Sequence, residues 1–481
     1  MKQLHPKLTT LQIRVLGLSS VVLLVFLALL FEFDALTLRP LFRVPKPSSI
    51  ASSAWPARPI PANLIANSTA EFWEYLAPLL AAAGPRCEKP TLADKAQARV
   101  REGGAHPVDL RNLVEMDEDD VEHMRRSHAW YVQQISQQTP PPFYREGTRG
   151  IVTSAGASYF PPLLVSLQFL RRTGSQLPVE VFLTSEDEYE PLMCETILPS
   201  LNAKCVILSL KLNEYILPFK FTKYQLKIFA MLFSSFEELL FLDADNFPVE
   251  NPDEIFVEEP YISQHMVLWP DYWNPTVSPY LNTVVGLDKD VFTNRPTIEA
   301  GQILVSKPHH AKTLLLAAYY NAYGDYYYHL MTQGGPGEGD KETFSTAALA
   351  LGIPFYDIKQ MTRSLGDRSG GGAVVQTHPL SDFNRTQDGD PRPLFIHASW
   401  PPKLNALHNF QNRRQWGSEE NSRALFNGQD MEEIAWGYMV DMACNDRVQF
   451  LEWGNKFEHG ICDRTKKSYL DMFKKEYEFK R

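Results

Sequence analysis

Between Phe236 and Pro252 the chain reads FEELLFLDADNFPVENP. The run Leu239-Leu240-Phe241-Leu242 is apolar at every position, the pattern of a strand buried on both faces of a parallel sheet. It ends abruptly in Asp243-Ala244-Asp245-Asn246. Two carboxylates one residue apart at the end of a buried strand cannot both lose their water without a partner. A divalent cation is the natural partner. Hard oxygen ligands suit Mn2+ or Mg2+, and such ions usually share their shell with substrate phosphates. Open α/β sheets take their ligands at the carboxyl ends of the strands. The stretch therefore predicts a metal–diphosphate site. The same letters also fit an acidic turn with Asn246 and Pro248 as turn residues, so the surroundings decide.

Those surroundings alternate. Gly150–Ser154, Val179–Thr184 and Cys205–Leu210 read as strands, and Pro162–Arg172 and Phe221–Ser235 read as helices. In the second helix Leu226, Phe229, Ala230 and Phe233 form one stripe. Strands alternating with helices predict an α/β fold with a parallel sheet and crossover connections. The chain contains no G-x-G-x-x-G and no Walker sequence, which disfavours a nicotinamide or P-loop reading. The helix before the acidic turn carries Lys220, Lys223 and Lys227 on one face. A bound diphosphate needs more positive charge than one metal supplies, and Lys227 is the candidate to add it.

Three later stretches bear on the same site. EAGQILVSKP at Glu299–Pro308 leads a polar, glycine-containing entry into a strand; Gly301 gives a ligand close access to the backbone, and Gln302 follows it. GGPGEGDKETF at Gly334–Phe344 delivers Asp340, Lys341 and Glu342 to a helix start after a hinge-like glycine run, as an active-site loop does. PLFIHASWPPK at Pro393–Lys403 is a short buried strand ending in His397, a third ligand for the carboxylate pair. Trp269-Pro270-Asp271-Tyr272-Trp273 offers aromatic faces to a pyranose. The segment Gly366–Gly389 is glycine-rich and reads as an irregular insert.

The amino-terminal region sets topology. Val15–Phe31 carries no charge, and with its edges (13–33) it is long enough to span a bilayer. Lys2, Lys7 and Arg14 precede it, so residues 1–12 are expected in the cytosol and the bulk of the chain in the lumen. An uncleaved signal anchor fits better than a cleaved leader, because the apolar run is long and lacks an A-x-A site. Residues 34–66, rich in proline and serine, are expected as an extended stem, leaving 67–481 as the catalytic part. Asn67 and Asn384 begin glycosylation sequons. A net charge of −10 argues against nucleic acid. The chain has five cysteines. Cys194 and Cys205 bracket one short loop, Cys444 and Cys462 another, and Cys87 is left over.

FLDADN after a basic helix, EAGQILVSKP, GEGDKETF and IHASWPPK together resemble the fungal Golgi α-mannosyltransferases that extend mannoprotein outer chains. The nearest subgroup is the α-1,2-mannosyltransferases that start branches on the α-1,6 backbone. The resemblance covers roughly Arg149–Lys403. It implies a type II Golgi membrane protein with a glycosyltransferase A-type fold, a Rossmann-like mixed sheet, GDP-mannose as donor, a mannan or N-glycan acceptor and Mn2+ (or Mg2+) as cofactor. It places Asp243, Asp245 and His397 at the metal. Lys227, Asn246, Gly301, Gln302 and Lys341 join Asp243 and Asp245 around the donor. Asp340 and Glu342 are the candidates for the catalytic face of the transferred sugar, and Trp269 and Asp271 for the acceptor. An α-1,3 linkage or another sugar-nucleotide donor remains open. A lumenal lectin with a Ca2+ site would need six to eight oxygen ligands, more than the Asp243 loop offers. A glycoside hydrolase would need carboxyls set about 5 Å or more apart across a sugar.

Overall fold

The computed structural model describes residues 65–481 apart from 98, 102–110, 213–222, 289, 367–371, 385–390, 399–402, 410–411, 457 and 480–481. The expected tail, membrane span and nearly all of the stem lie outside the described residues. Among those described, no helix is long and apolar enough to cross a membrane. The last residue assigned to the stem, Ala66, is already buried and bridged to Phe143.

Helix α1 (Thr69–Ala82) begins where the Ser68 hydroxyl accepts the Glu71 N–H at 3.1 Å, a side-chain N-cap. Helix α2 (Glu118–Gln137) carries Glu118, Asp119 and Asp120 in its first turn, where the helix dipole favours them. The alternation then follows: β1 (Arg145–Ser154), α3 (Phe160–Arg172), β2 (Val179–Leu183), β3 (Ala203–Ile207), α4 (Lys223–Phe233) and β4 (Phe236–Leu242). After the acidic turn come β5 (Asn246–Pro248), β6 (Met266–Pro270), β7 (Ile298–Ser306), α5 (Lys307–Ala322), α6 (Thr343–Leu351) and β8 (Tyr356–Asp357). Strands β9 (Arg363–Leu365), β10 (Ala373–Thr377) and β11 (Pro393–His397) precede the closing helices α7 (Met431–Cys444) and α8 (Ile461–Phe473).

The main sheet has seven strands in the order β8-β6-β7-β4-β1-β2-β3. Strands β1 to β4 pair in parallel, as the alternation predicts. The sheet as a whole is mixed, because β7 runs antiparallel between β4 and β6. An apolar run records burial, not direction, so its pattern does not distinguish the two. Strand β4 sits near the middle. Leu239 and Phe241 point into one core with Phe229 and Phe233 of α4; Leu240 and Leu242 point into the other with Val181, Leu304 and Phe395. All four are at most 3% exposed, and each burial contributes about 2 kcal/mol.

A second sheet, order β9-β10-β11-β5, is antiparallel throughout. The glycine-rich segment is thus not an irregular insert: it contributes β10, a five-residue strand buried along its length. Strand β5 leaves the acidic turn directly and pairs with β11 in a register that sets His397 opposite Asn246. That register carries the histidine to the carboxylates.

Cys194 is bonded to Cys205, tying the turn at Leu192–Ile197 to β3, and Cys444 to Cys462, tying α7 to α8. Cys87 is unpaired. Asn67 and Asn384 are both exposed.

Candidate active site

Three elements meet at the carboxyl end of β4. The turn itself is held by two backbone bonds: Asp243 N–H donates to Gly301 O on β7, and Asn246 N–H to Asp243 O, both at 2.9 Å. Asn246 locks it from inside, its amide donating to Gly301 O at 2.7 Å and to Gln302 Oε1 at 2.5 Å. Asn246 and Gln302 are fully buried. They brace the turn, and the carboxylates project from it.

Asp243, Asp245 and His397 each offer one ligand atom, and these atoms lie within 4.8 Å of one another. His397 Nε2 is 3.2 Å from Asp245 Oδ1 and 3.9 Å from Asp243 Oδ2. Two carboxylate oxygens and one imidazole nitrogen suit a divalent cation. Charge agrees. Asp243, Asp245, Glu299 and Asp340 bring four carboxylates to the cluster, and Lys227 and Lys403 bring two ammonium groups. With His397 neutral, two negative charges stay uncompensated, and one divalent cation balances them. The site's field already favours a cation at that spot. Burial alone would lower the His397 imidazole, but Glu299 and Asp245 push it up to about 10. The residues present therefore fit a divalent metal.

Lys227, on α4, is nearly buried and sits between carboxylates, 3.3 Å from both Asp243 and Asp340, while donating to Ala300 O at 2.6 Å. Burial would depress its ammonium, yet Asp243, Asp340 and Glu299 together hold it above the ordinary lysine range. Lys220 lies outside the described residues. Asp340 is buried, which raises its carboxyl, against the opposing pull of Lys227. It is delivered by a loop in which Gly339 takes φ +148, a backbone state that side chains rarely adopt, with Tyr224 packed over it.

Lys341 and Glu342 pair with groups other than the Asp243, Asp245 and His397 cluster. Lys341 pairs with Asp271 at 3.2 Å and donates to Pro336 O at 2.7 Å, which closes its own loop. Glu342 accepts the Ile298 N–H at 2.8 Å and so ties the loop to the start of β7. Trp269 is not a sugar wall. Its ring is 0% exposed, packed against Phe395 with its N–H donated to Thr377 O. An aromatic inside a strand of a sheet covered on both faces has no free face. Tyr272 and Trp273, just beyond the strand, are half-buried instead.

Two residues of the site were not singled out from sequence. Lys403 pairs with Asp245 Oδ2, and with His397 it holds the Asp245 carboxyl far below its usual range despite burial. Glu299 pairs with His397 Nδ1 at 3.1 Å. Both lie within the stretches that drew attention, but only the folded register shows their contacts. Gly301 is the point of closest approach: a Cβ there would fall 2.5 Å from His397 Nδ1. The group that needs the space is the histidine ring.

A family model for mannosyltransferases matches residues 148–294 and 288–373. The chain is 31% identical to the α-1,2-mannosyltransferase MNN21 of Candida albicans, over 74% of this chain and 66% of that protein. It is 35% identical to the α-1,2-mannosyltransferase MNN2 of Saccharomyces cerevisiae, over 58% of this chain and 53% of that one. The chain thus spans just under two-thirds of the first relative's length and about half of the second's. The crystal structure of the galactosyltransferase LgtC matches 58% of this chain and 96% of its own, at 13% identity and a TM-score of 0.34, too slight a likeness to assign a role.

Proposed function

We propose that this chain, which belongs to the fungal α-1,2-mannosyltransferase family, moves mannose from GDP-mannose to mannose residues of N-linked outer chains, forming α-1,2 branches with retention of configuration. The fold is read as the glycosyltransferase A type. The enzyme is placed in the Golgi membrane, single-pass, with its catalytic part in the lumen, from the charge-flanked apolar run at 13–33. The observation that carries the reading is the convergence of Asp243, Asp245 and His397 between Lys227 and Lys403 at the carboxyl end of β4.

Asp243, Asp245 and His397 would hold a divalent ion, which supplies charge that makes the diphosphate a competent leaving group. Lys227 and Lys403 already lie against the same carboxylates and add charge where the phosphate oxygens gather. In the transfer the bond from mannose C1 to the β-phosphate oxygen breaks, and its electron pair stays on the diphosphate. The acceptor hydroxyl bonds to C1 on the face the phosphate leaves and gives its proton to the departing β-phosphate oxygen, which keeps the α configuration. Asp340 is the carboxylate offered to the sugar, since Glu342 is engaged with the β7 backbone.

The test is product analysis. The full chain, given GDP-mannose, Mn2+ and an α-1,6-linked mannan, is expected to yield 2-substituted α-mannose on methylation analysis. A 3-substituted product would move the enzyme to the α-1,3 class. Transfer from UDP-sugars alone would discard the mannose reading.

A further inference from the structure

We propose that Glu299 is the positioning residue of the cation site: its carboxylate accepts the hydrogen bond of the His397 Nδ1–H and so turns the Nε2 lone pair toward Asp243 and Asp245. The proposal rests on the reading that these three residues hold a divalent ion. Glu299 Oε1 lies 3.1 Å from His397 Nδ1, on the ring edge opposite the one that faces the aspartates. An imidazole presents one nitrogen to a metal only when the other is occupied by a donor bond, and the acceptor of that bond fixes tautomer and ring angle together. Among the described residues, the ligand atoms that converge within 4.8 Å are those of Asp243, Asp245 and His397, and Glu299 is not one of them.

Glu299 is itself held. Gly301 N–H lies 3.1 Å from its Oε1 and 3.2 Å from its Oε2, and its side chain is only 14% exposed. The backbone explains the aim. Along β6 and β7 the pairing shifts register between Leu268, opposite Ile303, and Trp269, opposite Glu299. Residues 300–302 thus have no partner on β6, although Gln302 stays paired with Leu242 of β4, and bulges beside active sites re-aim side chains. Within the bulge Gly301 lacks the Cβ that would strike His397 Nδ1 and Cε1. A carboxylate, a glycine and a bulge on one strand therefore converge on one ring.

The experiment measures Mn2+ alone on the purified full chain, by the electron paramagnetic resonance signal of the free ion. Glu299→Gln keeps the shape but has one carbonyl oxygen for two N–H donors and no charge. Its Mn2+ affinity is expected to fall about 10- to 100-fold, while GDP-mannose binding recovers at saturating Mn2+. Asp245→Ala should lose Mn2+ binding. If wild-type protein binds no Mn2+, the cation reading fails and the proposal with it. If wild type binds and Glu299→Gln binds equally well, the positioning role alone is overturned. It is also overturned if Glu299→Gln weakens GDP-mannose at saturating Mn2+ and leaves Mn2+ untouched, for then the carboxylate touches the donor. Should Glu299→Gln fail to fold, Glu299→Asp, which keeps the charge but shortens the arm, must show the same loss of Mn2+ affinity.

Discussion

Gly301→Ala isolates the geometry of the site with a single methyl group. The glycine does not need positive φ, so alanine suits its backbone and the effect comes from contact alone. The new Cβ would sit 2.5 Å from His397 Nδ1, 2.6 Å from its Cε1 and 2.9 Å from Glu299 Oε2. Relaxed contacts of this kind begin near 3.5 Å, so the ring must retreat by about 1 Å. Asp245 stands 3.2 Å from the ring's other nitrogen and limits that retreat. Overpacking of this order costs about 1–3 kcal/mol of stability, a few degrees of melting temperature for a chain of this size. The functional loss should be larger in proportion. A ligand displaced by about 1 Å costs on the order of 100-fold in rate. The assay pairs thermal unfolding with Mn2+ affinity and initial rates of mannose transfer. The expected variant is folded, melts a few degrees lower, and has both Mn2+ affinity and rate reduced by one to two orders of magnitude. A folded Gly301→Ala protein with native Mn2+ affinity would refute the placement of His397 in the metal shell.

Other predictions follow from the same contacts. Lys227→Met strands the buried carboxylate of Asp340 and removes a partner of the half-buried Asp243, so it should cost about 3 kcal/mol in urea unfolding at neutral pH and abolish donor binding; adding Asp340→Asn should restore more than 1 kcal/mol of that stability, and strict additivity would show that the pair does not interact. Glu432 is fully buried on α7, and burial pushes its carboxyl up to about 7 despite the N–H groups of Gln415 and Trp416 and the nearby Arg414. Its neutral form is favoured by folding, so its contribution is full below the unfolded value of about 4.5 and is lost as pH rises toward 7. Wild type should therefore lose up to about 3 kcal/mol across that window relative to Glu432→Gln, read from their unfolding free energies at each pH; a wild type that gains stability relative to the variant as pH rises would mean Arg414 outweighs burial. The bridge between Cys444 and Cys462 closes a separation of 18 residues, worth about 3 kcal/mol in the chain-entropy account. Cys444→Ser should lower the unfolding free energy by that amount and leave Mn2+ affinity intact.

How much of this was legible in the sequence depended on the range of the interaction. Strand β4 declared itself because burial on both faces needs an unbroken apolar run, and the carboxylates at its end stood out against it. The cysteine pairs were legible because each closes a short loop. Strand direction was not: the antiparallel run of β7 depends on which neighbours it joins, and Leu304 reads the same either way. The second sheet was hidden for a related reason, since β10 lies among glycines and its partners come from elsewhere in the chain. Trp269 was misread because an aromatic cluster looks alike at a groove and in a core; only the pairing of β6 between β7 and β8 buries it. Glu299 acts on a histidine 98 residues away, so no local pattern marks it. Gly301 was noted for the space it leaves, but the occupant is decided by the register of β11.

The most direct measurement is calorimetric titration of the full chain with GDP-mannose, with and without Mn2+, beside UDP-galactose as control. The account predicts binding of GDP-mannose that requires Mn2+ and disappears in Asp245→Ala, with no binding of the uridine nucleotide. Equal binding of GDP-mannose in the absence of divalent metal, or no nucleotide binding by folded protein, would contradict it.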